Sequence, residues 1–239
     1  TDDTDLMTLA DGVLTVAGEL DAATLDISGN ADIDGTMEAD AYTLGGASFI
    51  KVEGTNFTDS LLIGHTTTGT LSSASENTGV GIDAMDAITS ADYTTAVGYR
   101  AGSAITTSPS NTLVGRSTGL SLTTGTGENT FIGKSSGYYV TGARNTGVGV
   151  SAIQAQSGSA GNYNTGVGYN AIVALTDGEY NIALGWTAGN NITTGSGNVV
   201  IGVADVSSAT GDDQLSISDG EDGSVVWMTG DSSANITFA

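Results

Sequence analysis

A short phrase recurs nine times along residues 60–202, and its spacing constrains the fold more than any other feature of the chain. The phrase is Asn, Thr, two apolar or small residues and then Gly, and two copies are degenerate, at residues 60–64 and 94–98. The anchor glycines that close the copies lie 16 to 19 residues apart: Gly64, Gly81, Gly98, Gly115, Gly133, Gly149, Gly168, Gly185 and Gly202. A nearly fixed period of this kind indicates a stacked repeat architecture.

The length of the period excludes helical repeats and favours stacked β-coils. A two-helix repeat needs more than about thirty residues, and Gly at this frequency destabilises helices. The Thr, Val and Ile residues around each anchor suit a pleated strand. We therefore predict an all-β fold, a β-solenoid or β-roll of about nine 17-residue repeats. Each coil is expected to hold two short strands and two turns, and nine coils at ~4.8 Å per layer give a rod on the order of 40 Å long.

Three positions of the repeat are expected to build the coil. The residue before each anchor is always Val, Ile or Leu, which predicts an inward ladder of apolar side chains. The Asn of the phrase is expected to cap or turn the chain, and stacked Asn residues can share their side-chain amides. Gly at the anchor permits a tight turn or a close backbone approach. Because such a core is thin, each coil buries little within its own chain and the open faces require neighbours.

The composition excludes several classes of function. The chain has no Cys and a single His, His65, which removes disulfide frameworks, thiolate metal sites and multi-His metal centres. Five basic residues and a formal net charge of −22 speak against nucleic-acid binding. No apolar run approaches the ~20 residues that span a bilayer, so no membrane insertion is expected. No signal peptide is visible, and the start at Thr1 suggests a processed piece of a longer protein.

The regions on either side of the repeats carry shorter strand patterns. In residues 1–50, apolar and polar residues alternate and stop at Gly, as in residues 14–18 and 25–29, which predicts short half-buried strands with Gly turns. Residues 206–239 contain further strand patterns. The predicted organisation is an N-terminal β-shaft (1–50), a repeat β-roll (51–205) and a C-terminal β region (206–239).

The repeated phrase, followed by a small residue, resembles the head repeat of trimeric autotransporter adhesins, a left-handed parallel β-roll built as a trimer, although that repeat is shorter. With its Thr-Thr-Gly spacers, as at residues 123–125 and 193–195, the longer form resembles bacteriophage tail-fibre proteins, notably those of marine cyanophages. The first fifty residues resemble the intertwined β-shaft of phage fibres. The C-terminal region resembles the strands before the self-cleaving chaperone domain of some fibres, which would make Ala239 a processed end.

These resemblances imply a homotrimer in which three thin rolls share a central axis. They imply a place in the virion, as a tail fibre or another surface fibre that mediates host attachment. The expected partners are the other copies of the chain, further virion proteins at the N-terminal end, and a host-surface glycan or protein. No cofactor is implied.

Large polar and aromatic residues after the anchors and in the turns are the candidates for surface contacts. They are Tyr99, Arg116, Lys134, Tyr138, Tyr139, Tyr169 and Trp186. Exposed aromatic side chains suit sugar or protein contacts, and they can equally plug the grooves between chains. Residues 51–202 carry a net charge of −4, against −11 for residues 1–50 and −7 for residues 203–239. The middle of the chain is therefore the best region for a partner surface.

Other motifs have simpler explanations. Repeated Gly-Val-Gly segments resemble part of a dinucleotide loop, but a phosphate loop occurs once between a strand and a helix, so they are architectural. Residues 30–35 and 219–223 are acidic loops that favour solvated turns, because a full set of calcium ligands is missing. His65 is expected to be a polar rung, with a metal shared among three copies as the alternative. Whether any cation binds stays open.

The leading hypothesis is a structural and adhesive fibre of a phage particle. Its alternatives are a fibre that decorates a particle without a receptor role, and a Thr-rich β-solenoid that binds ice or another ligand. Thr runs such as residues 66–68 drift in register, which argues against ice binding. Enzymatic activity is not expected, since carboxylates are sparse in the repeats and glycoside cleavage requires a pair of them in a groove.

Overall fold

The computed structural model describes residues 7–10, 13–16, 42–44, 47–64, 68–156, 158–159 and 161–238. The chain forms two compact units, Thr1–Ala39 and Asp40–Ala239. In the first unit, β1 (Met7–Ala10) and β2 (Val13–Val16) pair as an antiparallel hairpin. Most of residues 1–50 lie outside the described residues, so the intertwined shaft stays a prediction.

The second unit contains one continuous sheet of fifteen strands. Its first strands are β3 (Tyr42–Leu44), β4 (Ala47–Gly54), β5 (Phe57–Ile63) and the short β6 (Ala74–Ser75). The repeats follow with β7 (Thr78–Val80), β8 (Thr95–Val97), β9 (Thr112–Val114), β10 (Thr130–Ile132), β11 (Thr146–Val148), β12 (Thr165–Val167), β13 (Ile182–Leu184) and β14 (Val199–Ile201). The last strands are β15 (Leu215–Ser218), β16 (Val226–Gly230) and β17 (Ile236–Phe238). Strands β5 and β7–β15 form a parallel column, and antiparallel pairs lie at both of its ends.

The parallel column is a β-solenoid of about nine turns, so this part of the predicted fold is confirmed. Backbone hydrogen bonds join successive coils on the strand side, as from Gly98 N to Val80 O (2.8 Å). They also join the coils through the turns, as from Gly102 N to Thr118 O (2.9 Å). Because nearly every coil pairs with its neighbour around the ring, the stack satisfies backbone groups that burial would otherwise leave unpaired.

The expectation of two strands per coil is wrong. Among the described residues, each repeat from β7 to β14 has one regular strand of three residues, and turns complete the coil. Positions are counted here from the anchor glycine, which is position 0. Residues with positive φ recur at positions −5, +2 and +4, as in Arg144 (60°), Arg100 (55°) and Met85 (54°). The left-handed backbone at these positions bends the chain too often for a second strand to form.

Side chains alternate along each short strand, and this alternation overturns the predicted inward ladder. Val114 and Ile132, at position −1, are 38% and 40% exposed, whereas Leu113 and Phe131, at position −2, are fully buried. Successive side chains of a strand point to opposite faces, so only one of the two positions can face inward. The inward residue is the one at position −2, and the apolar residue before each anchor faces outward.

The interior is filled mainly from positions −2, +4 and +7. In seven successive coils, one of the residues at positions −2 and +4 is Gly and the other is not. The pairs are Gly79 with Met85, Ala96 with Gly102, Leu113 with Gly119, Phe131 with Gly137, Gly147 with Ile153, Gly166 with Ile172, and Ala183 with Gly189. Position +7 adds a buried side chain in most coils: Ile88, Ile105, Leu122, Val140, Leu175 and Ile192. The core therefore stays close-packed while the residue at each position varies.

The anchor glycines form a column of close backbone contacts, as predicted. All nine have φ between +101° and +144°, a region that residues with a Cβ rarely adopt. A Cβ built on Gly98 would lie 2.5 Å from the carbonyl oxygen of Gly115, the anchor of the next coil. Any side chain at these positions would push two coils apart.

A buried ladder of amides runs beside the anchor column, as the repeated Asn predicted. Its unbroken part is Asn111, Asn129, Asn145, Asn164, Asn181 and Asn198, with Gln214 at the end. Each Asn side-chain oxygen accepts from the backbone N–H and the side-chain amide of the next ladder residue, at 2.9–3.3 Å. The ladder fixes the register between coils without exposing a polar group to the apolar interior.

Candidate functional site

The outward face of the sheet presents an unbroken apolar row, which we call the spine. Its members are paired in register from strand to strand: Ile63, Val80, Val97, Val114, Ile132, Val148, Val167, Leu184, Ile201, Ile217, Met228 and Phe238. Seven of the twelve are exposed, by 36–40% in six of them and by 71% at Phe238, and the other five are half-buried. Twelve apolar side chains therefore line one side of the sheet in contact with solvent.

A second outward row lies beside the spine, two residues earlier on each repeat strand. It consists of Leu61, Thr78, Thr95, Thr112, Thr130, Thr146, Thr165, Ile182, Val199, Leu215, Gly230 and Ile236. The row changes from Thr to aliphatic side chains after Thr165. Neither row contains a charged residue, although the chain carries 27 acids. The two rows together form an uncharged face on a chain whose formal net charge is −22.

One edge of this face, which we call the basic-aromatic edge, holds five of the seven predicted contact residues. They occupy position +1 in their coils: Tyr99, Arg116, Lys134, Tyr169 and Trp186. Trp186 is 56% exposed, and its ring stacks on that of Tyr169 with centroids 6.4 Å apart. The Arg116 guanidinium carbon lies 5.8 Å from the ring centroid of Tyr99. All five side chains are exposed in the single chain, and their role in contacts stays a prediction.

Tyr138 and Tyr139 do not join that edge. They lie at positions +5 and +6 of the β10 coil, beyond the left-handed turn at Gly137. Their rings meet edge to face with centroids 4.5 Å apart, and Tyr138 is half-buried. Their place agrees with the sequence, in which they follow the repeated phrase and lie in a turn rather than directly after an anchor.

The other edge of the face carries a column of side chains that the sequence analysis did not identify as a site. At position −5, Arg144 Nε donates to Glu128 Oε2 (2.7 Å) and Arg144 Nη1 donates to the Tyr163 hydroxyl (2.7 Å). These bonds, to Glu128 first, raise the pKa of Arg144. The Tyr163 ring stacks on that of Tyr180 with centroids 4.8 Å apart. In the sequence, each member of this column lies directly before the repeated Asn, and this shared position could have revealed the column.

The acidic loop after β15 is organised around one carboxylate. Asp219 Oδ1 accepts the backbone N–H groups of Glu221, Asp222 and Gly223 at 2.9–3.1 Å, and Oδ2 accepts that of Val225 at 2.7 Å. The Val225 bond and then those from Asp222 and Gly223 lower the pKa of Asp219 to about 2. The carboxylate thus closes its own loop, which agrees with the turn interpretation.

The remaining candidates for cation binding are less informative. His65 and residues 30–35 lie outside the described residues. Within the described ranges, no group of three or more His, Asp or Glu side chains is placed to hold a metal ion. Nor does that part of the chain contain a helix long and apolar enough to cross a membrane.

Comparison of the chain with protein-family models, with curated proteins and with solved structures finds no significant match.

Proposed function

We propose that the chain is a structural fibre protein of a phage particle, a homotrimeric tail fibre that mediates attachment to the host surface. The observation that carries this proposal is the spine and its companion row, a long neutral apolar face on an acidic chain. Like-charged copies repel each other at most surfaces, so a face without charge is where they can approach. Packing three copies on this face would bury their outward aliphatic side chains around a common axis.

The size of the face supports an interface between copies. Twelve rungs at ~4.8 Å and a strand width of three residues at ~3.3 Å give on the order of 600 Å². This area is at the upper end of the ~300–600 Å² of the largest apolar patch on a typical monomer, a size that marks interaction surfaces. Stable interfaces bury about 800 Å² per partner, so side chains that flank the two rows would complete the contact between copies.

The solenoid architecture supports a role as a rod. Each coil contacts its two neighbours, so length is added without a change in cross-section. The resemblance of the repeated phrase to phage tail fibres and adhesin heads supports a location of such a rod on the surface of a virion. Its N-terminal end would join other virion proteins, and its side or tip would meet a host-surface glycan or protein.

The native mass of the purified chain tests the trimer. We expect light scattering to give three times the chain mass of 23.7 kDa, and the species to resist brief treatment with detergent. The variant Val114→Glu, on the exposed spine, should give monomers with unchanged circular dichroism. A soluble wild-type monomer would contradict the shared-axis fibre.

Attachment is tested separately by adsorption of labelled protein to bacterial cells. Saturable adsorption that unlabelled protein competes away would support a receptor role. A trimer that adsorbs to no cells of a broad panel would instead favour the decorating fibre without a receptor role.

A second candidate function is ice binding, favoured by one specific feature. Six Thr residues of the companion row, from Thr78 to Thr165, stand in register beside the spine. The register drift noted in the sequence concerns other Thr residues, so that objection does not apply to this row. Thermal hysteresis of a monomeric sample, lost in Thr112→Lys, would support ice binding, and its absence would remove this candidate.

A further inference from the structure

Positive charge is concentrated in the middle of the solenoid. Residues 93–176 contain four of the five bases and only one of the 27 acids, Glu128. That acid is paired with Arg144 at position −5, across the face from the basic-aromatic edge. The other three bases of this segment, Arg100, Arg116 and Lys134, are exposed. A net positive band therefore lies between two acidic ends.

The three bases belong to consecutive coils, two of them on the basic-aromatic edge and the third next to it in sequence. Arg116 and Lys134 occupy position +1, and Arg100 follows Tyr99 at position +2. Within the described part of the chain, none of the three has a carboxylate partner. Consecutive coils are ~4.8 Å apart, so the three positive charges span about 10 Å along the solenoid. Unpaired charges so arranged favour an anionic partner that runs along the axis.

Aromatic side chains continue the same column on both sides of the bases. Tyr99 lies at one end, and Tyr169 and Trp186 lie two and three coils beyond Lys134. The column from Tyr99 to Trp186 is about 24 Å long at ~4.8 Å per coil. Tyr169 and Trp186 are 48% and 56% exposed, and such amphipathic rings contact the apolar faces of sugars while their polar atoms stay in water.

We propose that the basic-aromatic edge binds an anionic polysaccharide, with Arg100, Arg116 and Lys134 on its acidic groups and Tyr169 and Trp186 on its sugar rings. The inference rests on the proposed attachment function, since it names the class of surface ligand. A chain with spaced charges fits better than a nucleic acid, because three bases neutralise few phosphates and the acidic ends repel the rest.

Binding of the full chain to defined polymers tests this proposal. The probes are dextran sulfate, polygalacturonate and neutral dextran of matched length, with a single-stranded oligonucleotide as the nucleic-acid arm, each measured by calorimetry at two salt concentrations. We expect an anionic polysaccharide to bind, more weakly at the higher salt. The sulfated and carboxylated polymers show which acidic group is preferred.

Charge-matched variants locate the site. Arg116→Gln and Lys134→Gln should each weaken binding about tenfold, the value of a charge-assisted contact, and Trp186→Ala should weaken it as well. Arg144→Gln removes the same charge from the opposite edge and should leave affinity within about twofold. Light scattering of every variant should give the wild-type mass.

Three results would overturn the proposal: no binding of either anionic polymer, equal losses in Arg116→Gln and Arg144→Gln, or tighter binding of the oligonucleotide. The native mass separates these failures from failure of the fibre. A trimer without polyanion binding removes this ligand class alone, whereas a monomer contradicts the fibre itself.

Discussion

The ring of Phe131 occupies the space that a side chain on Gly137 would need, since a Cβ built on Gly137 would lie 2.6 Å from Phe131 Cγ. The two residues belong to the same coil, at positions −2 and +4. In five of the seven coils a large residue at one of these positions is matched by Gly at the other, and in two the residue paired with Gly is Ala. Beside Gly102, one of these two, the space is filled by Ile105 and by Leu113 of the next coil. The solenoid keeps its cross-section by this compensation.

Replacing Phe131 by Ala should therefore be among the most damaging single substitutions. The ring is fully buried and its partner is already Gly, so nothing nearby can fill the cavity. We expect a loss of about 3–5 kcal/mol in the free energy of unfolding, measured by urea denaturation. Ile82→Ala, at a side chain that is 59% exposed, should cost less than about 1 kcal/mol. Equal losses in the two variants would mean that the interior is not packed as described.

The anchor column makes a second prediction, with a control that isolates steric overlap. Gly115 and Gly125 both have positive φ, at +139° and +116°. A Cβ on Gly115 would lie 2.5 Å from Gly133 O, whereas a Cβ on Gly125 would meet nothing within 4 Å. Both Ala variants bear the backbone strain of about 1–3 kcal/mol, but only Gly115→Ala forces two coils apart.

We expect Gly115→Ala to prevent folding or to lower the melting temperature far more than Gly125→Ala does. Thermal unfolding followed by circular dichroism measures both. Equal melting temperatures of the two variants would mean that backbone strain alone explains why the anchor positions are Gly. Close packing of the coils would then not be the reason.

The period and composition were sufficient to predict an all-β solenoid, its Gly anchors and its amide ladder, because these depend on what every coil repeats. The direction of the side chains was not predictable in the same way. Position −1 is uniformly apolar, which is typical of a core position. Position −2 varies from Gly79 to Phe131, which is not. A constant apolar position faces outward here, and the variable one is interior because position +4 compensates for it.

The candidate site was predicted in part, for a related reason. Tyr169 and Trp186 were found because position +1 directly follows a conspicuous Gly. Arg144, Tyr163 and Tyr180 were not grouped, because the residue type at position −5 changes from coil to coil, and their common column became clear only once the coils were stacked.

The amide ladder gives a third prediction. Asn164 Oδ1 accepts from Asn181 N and Nδ2 (both 3.0 Å), and Asn164 Nδ2 donates to Asn145 Oδ1 (3.1 Å) and Gly178 O (3.0 Å). In Asn164→Ala these buried groups lose their partners, and each unsatisfied group costs about 1–3 kcal/mol. We expect a loss of at least ~3 kcal/mol by urea denaturation. The control is Thr165→Ala, at the neighbouring side chain that faces outward, which should lower the free energy of unfolding by less than about 1 kcal/mol. An equally small loss in Asn164→Ala would mean that the amide ladder does not hold the coils together.

The loop closed by Asp219 should respond to acid. Backbone N–H groups, that of Val225 above all, hold the pKa of Asp219 at about 2, below the value of about 3.9 in an unfolded chain. A lowered pKa stabilises the folded loop above pH ~3.9, and this contribution is lost as the pH falls through about 2. Carboxyl NMR shifts should show Asp219 titrating near 2, and amide exchange at Gly223 and Val225 should accelerate there.

The variant Asp219→Asn separates charge from geometry. It keeps one of the two acceptor oxygens, which can still accept the N–H groups that Oδ1 binds, but it loses the acceptor for Val225. Because the amide has no proton to gain, exchange at Gly223 should no longer change between pH 2 and 4 beyond its intrinsic pH dependence. Titration of Asp219 near 4 in the wild type would show that the loop is open in solution.

The change in the companion row gives a final prediction, which depends on the proposed trimer. Val97 and Leu184 are equally exposed, at 36% and 38%, but Val97 lies beside Thr95 and Leu184 lies beside Ile182. More apolar area surrounds Leu184, so a charge placed there in the interface costs more desolvation. Sedimentation over a dilution series should show Leu184→Glu dissociating at a higher protein concentration than Val97→Glu. Equal dissociation would place the strongest contacts elsewhere on the face, and wild-type association in both variants would exclude the spine as the interface.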